Sequence, residues 1–472
     1  MTRNTFFDTD SWGRTRTSEG PRTSRGPRLR RAPHPRGWGG RRFLVFVLWA
    51  GLAFSLALWW VDTPQASLNN RGELFVAGGR ITGLVAGYLL LVQVLLRSRL
   101  GLFERWIGTE TLTRWHRDFG AVLLLATLTH ASLILVGYSI LDNVSLLGEL
   151  GVLMDEYEDM TSAVVATCIL IAVGLLAVRT MRRALPYELW KFLHLSAYLV
   201  LLLGYGHQFA NGQQLFRPGL ARDYWAALYL AVLAALVWGR VVQPLWLNLR
   251  HQFRVADVVD EGPGIISIYL TGRSLARAGR AGQFFRWRFL TGSVWLQAHP
   301  FSLSAATHPH WLRLTVKAVG RHTEDLRALR PGVRVWAQGP MGAFTAQRRT
   351  RGRSLLIAGG SGIGPIRALL EELPPGAAVI YRASTAEDVV LRAELDRIAE
   401  ARHADVWYVV GSRRDPAPRA MLTGTGMLQI CPDVASRDAY LCGPPGFVRV
   451  AIRALRAAGV PRRQIHQTLF EL

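Results

Sequence analysis

Six apolar runs follow one another in the first 250 residues, at about 43–61, 74–96, 119–139, 163–178, 193–206 and 224–242. A helix needs about 20 residues to cross the hydrocarbon core of a bilayer. The fourth and fifth runs fall short by strict count and draw on their flanks. A soluble bundle would have to bury six such helices in succession, which few folds do. The pattern therefore predicts a multi-domain membrane protein whose residues 43–248 form an all-α, six-helix transmembrane bundle.

Loop charge orients that bundle. The segment 1–42 holds 11 arginines against Asp8, Asp10 and Glu19 and has no hydrophobic periodicity, so it reads as a disordered basic tail. Arg97, Arg99, Arg105 and Arg114 make the second loop basic, and Arg179, Arg182, Arg183 and Lys191 do the same for the fourth. The 139–160 loop has no Lys or Arg and carries Glu149, Asp155, Glu156, Glu158 and Asp159. Basic loops stay on the cytoplasmic side. Both termini are thus expected in the cytoplasm of a multi-pass protein of the cell (inner) membrane, with 139–160 as a solvated outer loop.

Two runs carry histidines near opposite ends: His116 and His130 on the third, His194 and His207 on the fifth. Fourteen helical residues rise about 21 Å and leave the first two about 40° apart in angle, on one face. Both spans run in the same direction, so His116 meets His194 on the inner side and His130 meets His207 further out. Ionisable side chains in a membrane are expensive and mark function. Two facing pairs of neutral imidazoles suit two b-type haems stacked along the membrane normal. The 13-residue spacing of His194 and His207 leaves them about 140° apart on a straight helix. A twist near Gly204 and Gly206 is expected to correct it. Arg80, on the outer half of the second span, has a haem propionate or an anionic acceptor as a candidate partner, with snorkelling to the interface as the alternative.

Charge and cysteines mainly exclude. The net charge of +23 comes almost wholly from arginine, and no basic and aromatic recognition motif accompanies it, so nucleic acid is not an expected partner. Three cysteines are too few for a four-thiolate iron–sulfur cluster.

After Arg250 the texture changes to short β-type runs broken by Gly and Pro, which predicts a β-barrel over 249–347. From about 348 to 472 strands alternate with helices, the pattern of an α/β parallel-sheet domain. HPFSLS at 299–304 offers a ring and hydroxyls: Phe301 to cover a flavin, Ser302 to hydrogen-bond it, and His299, beside Pro300, to face a phosphate. Lys317, Gly320 and Thr323 are expected to open a short helix toward a pyrophosphate. Gly339 and Gly342 bracket a tight turn. SLLIAGGSGIGPI at 354–366 runs a strand into Gly359, Gly360, Gly362 and Gly364, then into a helix near Pro365. Such a turn lets a dinucleotide phosphate approach a helix N-terminus. Arg382, at the end of the next strand, could meet a 2′-phosphate, which favours NADPH slightly. CGPP at 442–445 puts Cys442, Gly443 and Pro444 beside the expected nicotinamide. Phe470 could shield the flavin until nicotinamide displaces it.

Taken together, these residues resemble the ferric reductase and NADPH oxidase superfamily over about 43–472. The membrane half looks like a ferric-reductase-type domain, with His116, His130, His194 and His207 at the bis-histidyl positions, and that family also accepts the spacing one residue shorter on its fifth span. The soluble half is similar to the ferredoxin–NADP reductase fold. HPFS matches its FAD motif, while GGSGIGPI and CGPP match its pyridine-nucleotide motifs. Met341 stands where an aromatic is common. The resemblance implies an NAD(P)H-dependent flavohaem oxidoreductase that uses FAD and two b-type haems. Its electrons would cross the bilayer to a ferric chelate or dioxygen. The alternative acceptor is an extracytoplasmic protein partner, which would make the chain a reductase subunit.

Overall fold

The computed structural model describes residues 14–15, 38–63, 70–216, 218–262, 264–292, 295, 297–317, 325–412 and 414–469. Most of the 1–42 tail, Gly320, Thr323 and Phe470 lie outside them. The chain divides into two compact units, one of Gly39–Phe103 and Thr111–Val241, the other chiefly of Glu104–Glu110 and Val242–Leu472.

In the first unit the apolar runs form helices. They are α1 (Trp38–Asp62), α2 (Arg71–Leu96), α3 (Thr109–Asp142), α4 (Leu146–Glu156), α5 (Met160–Ala177), α6 (Tyr187–Leu195), α7 (Ala197–Asn211) and α8 (Leu220–Val237). Among the described residues, six stretches are long and apolar enough to cross a membrane, with α6 and α7 together making the fifth. Asn70 caps α2 by accepting from the Gly72 N–H at 2.9 Å, which satisfies one of the donors left open in a first turn. Ala86 and Leu90 of α2 pack with Leu123 of α3, Ala166 and Leu170 of α5 and Val200 of α7 into one core. Along α2, Gly79, Gly83 and Gly87 recur every four residues and let Ile134, His130 and Gln208 come in against bare backbone. Small residues at this spacing allow close helix approach in a membrane.

Three features depart from expectation. Within the acidic outer loop, LLGELGVLMDE forms α4, capped by Ser145, with Glu149 and Leu153 buried one turn apart. Burial, reinforced by Asp142 and Glu156, holds the Glu149 carboxyl above its ordinary range. The fifth span breaks at Ser196, between α6 and α7, rather than at Gly204 or Gly206. Ser196 N–H reaches back three residues to the Leu193 carbonyl and Leu199 N–H to that of Ser196, the bonding of a tighter helix. Beyond α8 the helix widens into a π turn at Trp238–Val242. Gly239 lies against the Ser98 carbonyl there, and Arg240 donates to the Arg97 carbonyl at 2.9 and 3.1 Å.

The second unit begins with α9 (Gln243–His251) and then two antiparallel sheets. One pairs β1 (Arg254–Gly262), β2 (Ile265–Thr271) and β5 (Leu312–Lys317); the other places β3 (Phe284–Phe289) between β4 (His299–Ser302) and β6 (Val335–Met341). Trp287, Phe285 and Phe289 of β3 fill a core shared with Ile268, Leu270 and Leu314. The expected barrel does not close among the described residues. The sheets meet at isolated bridges, Arg254 with Arg334 and Leu303 with Leu314, and through a few backbone bonds such as Val255 N–H to the Val333 carbonyl and Val335 N–H to the Phe253 carbonyl. The four-residue β4 and the register shifts in β1 and β3 stop a continuous ladder from forming.

The remainder is a parallel sheet of β7 (Ser354–Gly359), β8 (Ala378–Ala383), β9 (Asp405–Val410), β10 (Asp438–Gly443) and β11 (Ile465–Leu469). Its order is β9-β8-β7-β10-β11, with Arg14–Thr15 antiparallel beside β9. The apolar β7 is buried on both faces: Leu356 and Ala358 enter one core, Leu355 and Ile357 the other, as a parallel strand covered by helices requires. The helices include α10 (Ile363–Glu372), α11 (Arg392–Ala401) and α12 (Pro445–Ala457).

Candidate functional site

The bundle brings the four histidines together in the expected pairs. The rings of His116 and His194 have centroids 6.1 Å apart, and those of His130 and His207 are 6.3 Å apart. The tight turn at Ser196 acts in the right sense. Each i→i+3 step advances about 120° instead of about 100°, which recovers part of the roughly 140° that the spacing lacks.

The spacing fits a metal between two imidazoles. Two metal–nitrogen bonds of about 2 Å plus a ring radius of about 1 Å on each side give centroids about 6 Å apart. The donor chemistry agrees at the outer pair. His130 Nδ1 lies 2.7 Å from the Gly79 carbonyl, and only an N–H can bond there. The proton therefore sits on Nδ1 and Nε2 keeps its lone pair. At the inner pair, the Nδ1 atoms of His116 and His194 are buried with no hydrogen-bond partner among the described residues. Trp190 stacks on the His194 ring at 5.1 Å, and Gln93 Nε2 donates to the His116 carbonyl at 2.9 Å. Asn211 Nδ2 stands 3.4 Å from His207 Nδ1. Arg80 is half-buried and directly follows Gly79, so it shares the level of the outer pair.

In the second unit the flavin motifs flank one strand. On β3, Phe284 pairs with Ser302 on one side and with Met341 on the other, so HPFS and the Gly339–Gly342 turn share an end of that sheet. His299 and Phe301 stack at 5.4 Å, and Trp287 Nε1 donates to the Phe301 carbonyl at 3.1 Å. Phe301 is partly open and Pro300 exposed, whereas His299 and Ser302 are largely buried. Lys317 is exposed at the end of β5.

The nucleotide motifs converge more tightly. The chain winds outward from β7 to β8 and β9, then returns to β10 on the opposite side of β7. This reversal opens a crevice beyond the carboxyl ends of β7 and β10, where ligands bind in sheets of this kind. Gly359, Gly360 and Gly362 lie at one lip, and Gly443 and Pro444 at the other. Gly360 adopts φ +55°, and a Cβ on Gly362 would run into the Cys442 carbonyl. Gly364 and Pro365 open α10, whose free N–H groups suit a phosphate.

Two candidates lie buried. Cys442 is fully buried, its side chain in the core with Leu356 and Tyr440. The pleat of β10 turns it inward like Tyr440, two residues earlier. Burial, helped by Glu110, pushes its thiol well above the usual range, so it stays protonated and offers the crevice only backbone. Arg382 is also buried, and its Nη2 donates to the Gly411 carbonyl. The guanidinium ties β8 to the end of β9.

Comparison with known proteins then decides the class. Residues 82–205 match the family "Ferric reductase like transmembrane component", which takes in His116, His130 and His194 and stops two residues short of His207. Residues 356–453 match the family "Oxidoreductase NAD-binding domain". The chain carries a ferric-reductase-like transmembrane segment and an oxidoreductase NAD-binding domain. This oxidoreductase is 28% identical over 205 residues to a flavohemoprotein of Xylella fastidiosa, covering 40% of the chain and 51% of that protein. It is 32% identical over 241 residues to the ferredoxin reductase component of 3-ketosteroid-9-alpha-monooxygenase from Mycolicibacterium smegmatis, covering 47% of the chain and 65% of that protein. The chain thus spans about half to two thirds of the length of these relatives. A solved ferredoxin reductase in carbazole 1,9a-dioxygenase aligns at 23% identity and TM-score 0.39, over 47% of this chain and 69% of that one.

Proposed function

We propose that this oxidoreductase passes electrons from cytoplasmic NAD(P)H, through FAD and two b-type haems, to a ferric chelate or dioxygen on the outer face. The observation that carries the reading is the pair of histidine contacts at 6.1 and 6.3 Å inside an apolar bundle. When bound, the nicotinamide supplies hydride, the flavin divides it into single electrons, and the haem irons relay them.

The chain's own residues supply binding and orientation. His116 and His194 would hold the inner haem, His130 and His207 the outer. The Gly79 carbonyl fixes the His130 ring by accepting a hydrogen bond from its Nδ1–H. Backbone N–H groups from Gly360 to Gly364 would hold the dinucleotide phosphates at the start of α10, while Phe301 and Ser302 would position the flavin. Basic loops beside His116 and His194, and the acidic α4 segment on the other side, support an inner-membrane location with both termini cytoplasmic.

The test is the absorption spectrum of the purified protein. A b-type spectrum should develop on addition of NADPH or NADH, and His→Ala at any of the four sites should remove part of it. Unchanged spectra in all four variants would defeat the haem assignment. Superoxide measured against ferrous iron, in membranes given each acceptor, identifies the acceptor. Turnover only when an extracytoplasmic protein is added would select the reductase-subunit alternative.

A further inference from the structure

The segment that follows the flavin strand meets the nucleotide helix at Ser304. Ser304, two positions past Ser302, is fully buried. Gly364, at the start of α10, lies so near that a Cβ there would stand 3.3 Å from the Ser304 Cβ. Two guanidiniums close around this contact, Arg313 from β5 and Arg367 from α10. The Ser304 carbonyl accepts from Arg313 Nη2 at 3.0 Å and from Arg367 Nη1 at 3.2 Å. Its hydroxyl accepts from Arg313 Nε at 3.2 Å and from Thr315 at 2.8 Å.

Both arginines then share one carboxylate. Glu394, in the first turn of α11, meets Arg313 Nη1 with Oε2 at 2.8 Å and Arg367 Nη2 with Oε1. Arg313 and Arg367 are 3% and 4% exposed. A buried ionic group of this sort adds little net stability over apolar side chains of similar volume. Planar forks on a carbonyl and a carboxylate do fix distance and angle. The cluster therefore sets geometry, and what it joins is the end of the flavin motif and the helix that opens at the nucleotide motif.

We propose that Arg313, Glu394 and Arg367 are positioning residues that align the nicotinamide with the flavin ring for hydride transfer. The proposal rests on the NAD(P)H-to-FAD direction given above. In it, hydride passes from the nicotinamide C4 to the flavin; the dinucleotide is oxidised and the flavin reduced by two electrons. Hydride transfer is sensitive to misplacement of about 1 Å, so loosening the cluster slows the step without emptying either site.

The experiment uses the full-length, FAD-loaded protein in stopped flow, with NADPH and its 4-deuterated form. Glu394→Gln keeps the side chain's size and removes the charge that both arginines share. It should slow flavin reduction at saturating NADPH at least tenfold. FAD content and the NADPH concentration for half-maximal rate should stay within twofold. The long-wavelength nicotinamide–flavin charge-transfer absorbance should weaken, and the deuterium effect should rise. Thr315→Val, a milder change at the edge of the cluster, should slow reduction two- to fivefold with full FAD. Equal rates in wild type and both variants would overturn the positioning role, as would a rate that falls only in step with FAD content. Failure of NADPH and NADH to reduce the wild-type flavin would overturn the proposed function itself, and the positioning role with it.

Discussion

Replacing Gly83 with alanine should remove the outer haem and leave the inner one. A Cβ at this position would lie 2.7 Å from His130 Nδ1 and 2.9 Å from its Cε1. Ordinary carbon contacts begin near 3.5 Å, so the ring must withdraw by roughly 0.7 Å. A metal-binding constellation tolerates about 0.5 Å. Withdrawal also stretches the 2.7 Å bond from Nδ1 to the Gly79 carbonyl. Losing that bond costs about 1 kcal/mol and overpacking adds about 1–3 kcal/mol. The sum, about 2–4 kcal/mol, corresponds to a roughly 30- to 1,000-fold loss in outer-haem affinity. The assay is haem per chain by pyridine haemochrome, with low-temperature EPR to distinguish the two sites. Gly78→Ala is the internal control, because its new methyl would meet only Leu133 Cδ1 at 3.4 Å. Full haem content and an unchanged EPR spectrum in Gly83→Ala would refute the account of the outer site.

Three further outcomes are expected. Gly362→Ala, whose methyl collides with the Cys442 backbone, should cut NAD(P)H-driven flavin reduction at least tenfold while dithionite still reduces the haems. The thiols of Cys442 and Cys431 are both raised, the first well above its usual range and the second to about 12, chiefly by burial. The unfolded thiols ionise first, near pH 8.5, so resistance to heat-induced FAD release should be complete below that pH and fall as pH rises beyond it, less steeply in Cys442→Ala. Glu149, also raised, contributes most below the unfolded carboxyl value near 4.3 and loses that contribution as pH rises through its folded value. The bundle's thermal midpoint should therefore be higher at pH 5 than at pH 8, by a margin that shrinks in Glu149→Gln.

The parts of this molecule legible in its sequence are those that local chemistry dictates. Apolar runs mark spans because the bilayer demands about 20 such residues, and loop charge with span direction is enough to pair His116 with His194 and His130 with His207. Glycines between a strand and a helix mark the crevice because only backbone can fold that closely. What stayed hidden depends on partners far along the chain. The bond from Arg382 Nη2 to the Gly411 carbonyl, 29 residues on, has no local signal. Nothing near Glu394 announces that it neutralises Arg313, 81 residues away. The open barrel was hidden because register shifts do not show in residue alternation. One signal was present and unread: the four-residue spacing of Gly79, Gly83 and Gly87 points to the face of α2 that receives His130.

The tightened turn at Ser196 has a consequence for length variation. On α3 the two histidines are separated by about 1,400° of helix; on the fifth span an untightened helix would supply only about 1,300°. Overwinding lets thirteen residues do the work of fourteen. One alanine inserted beside Ser196 would supply the missing 100° by itself, and the segment could relax to ordinary helix with both rings still facing their partners. One residue removed there has no such remedy, because the turn is already tight. Chains of this kind should therefore accept a gain at this point and reject a loss, which makes the fifth span a one-way site for length change.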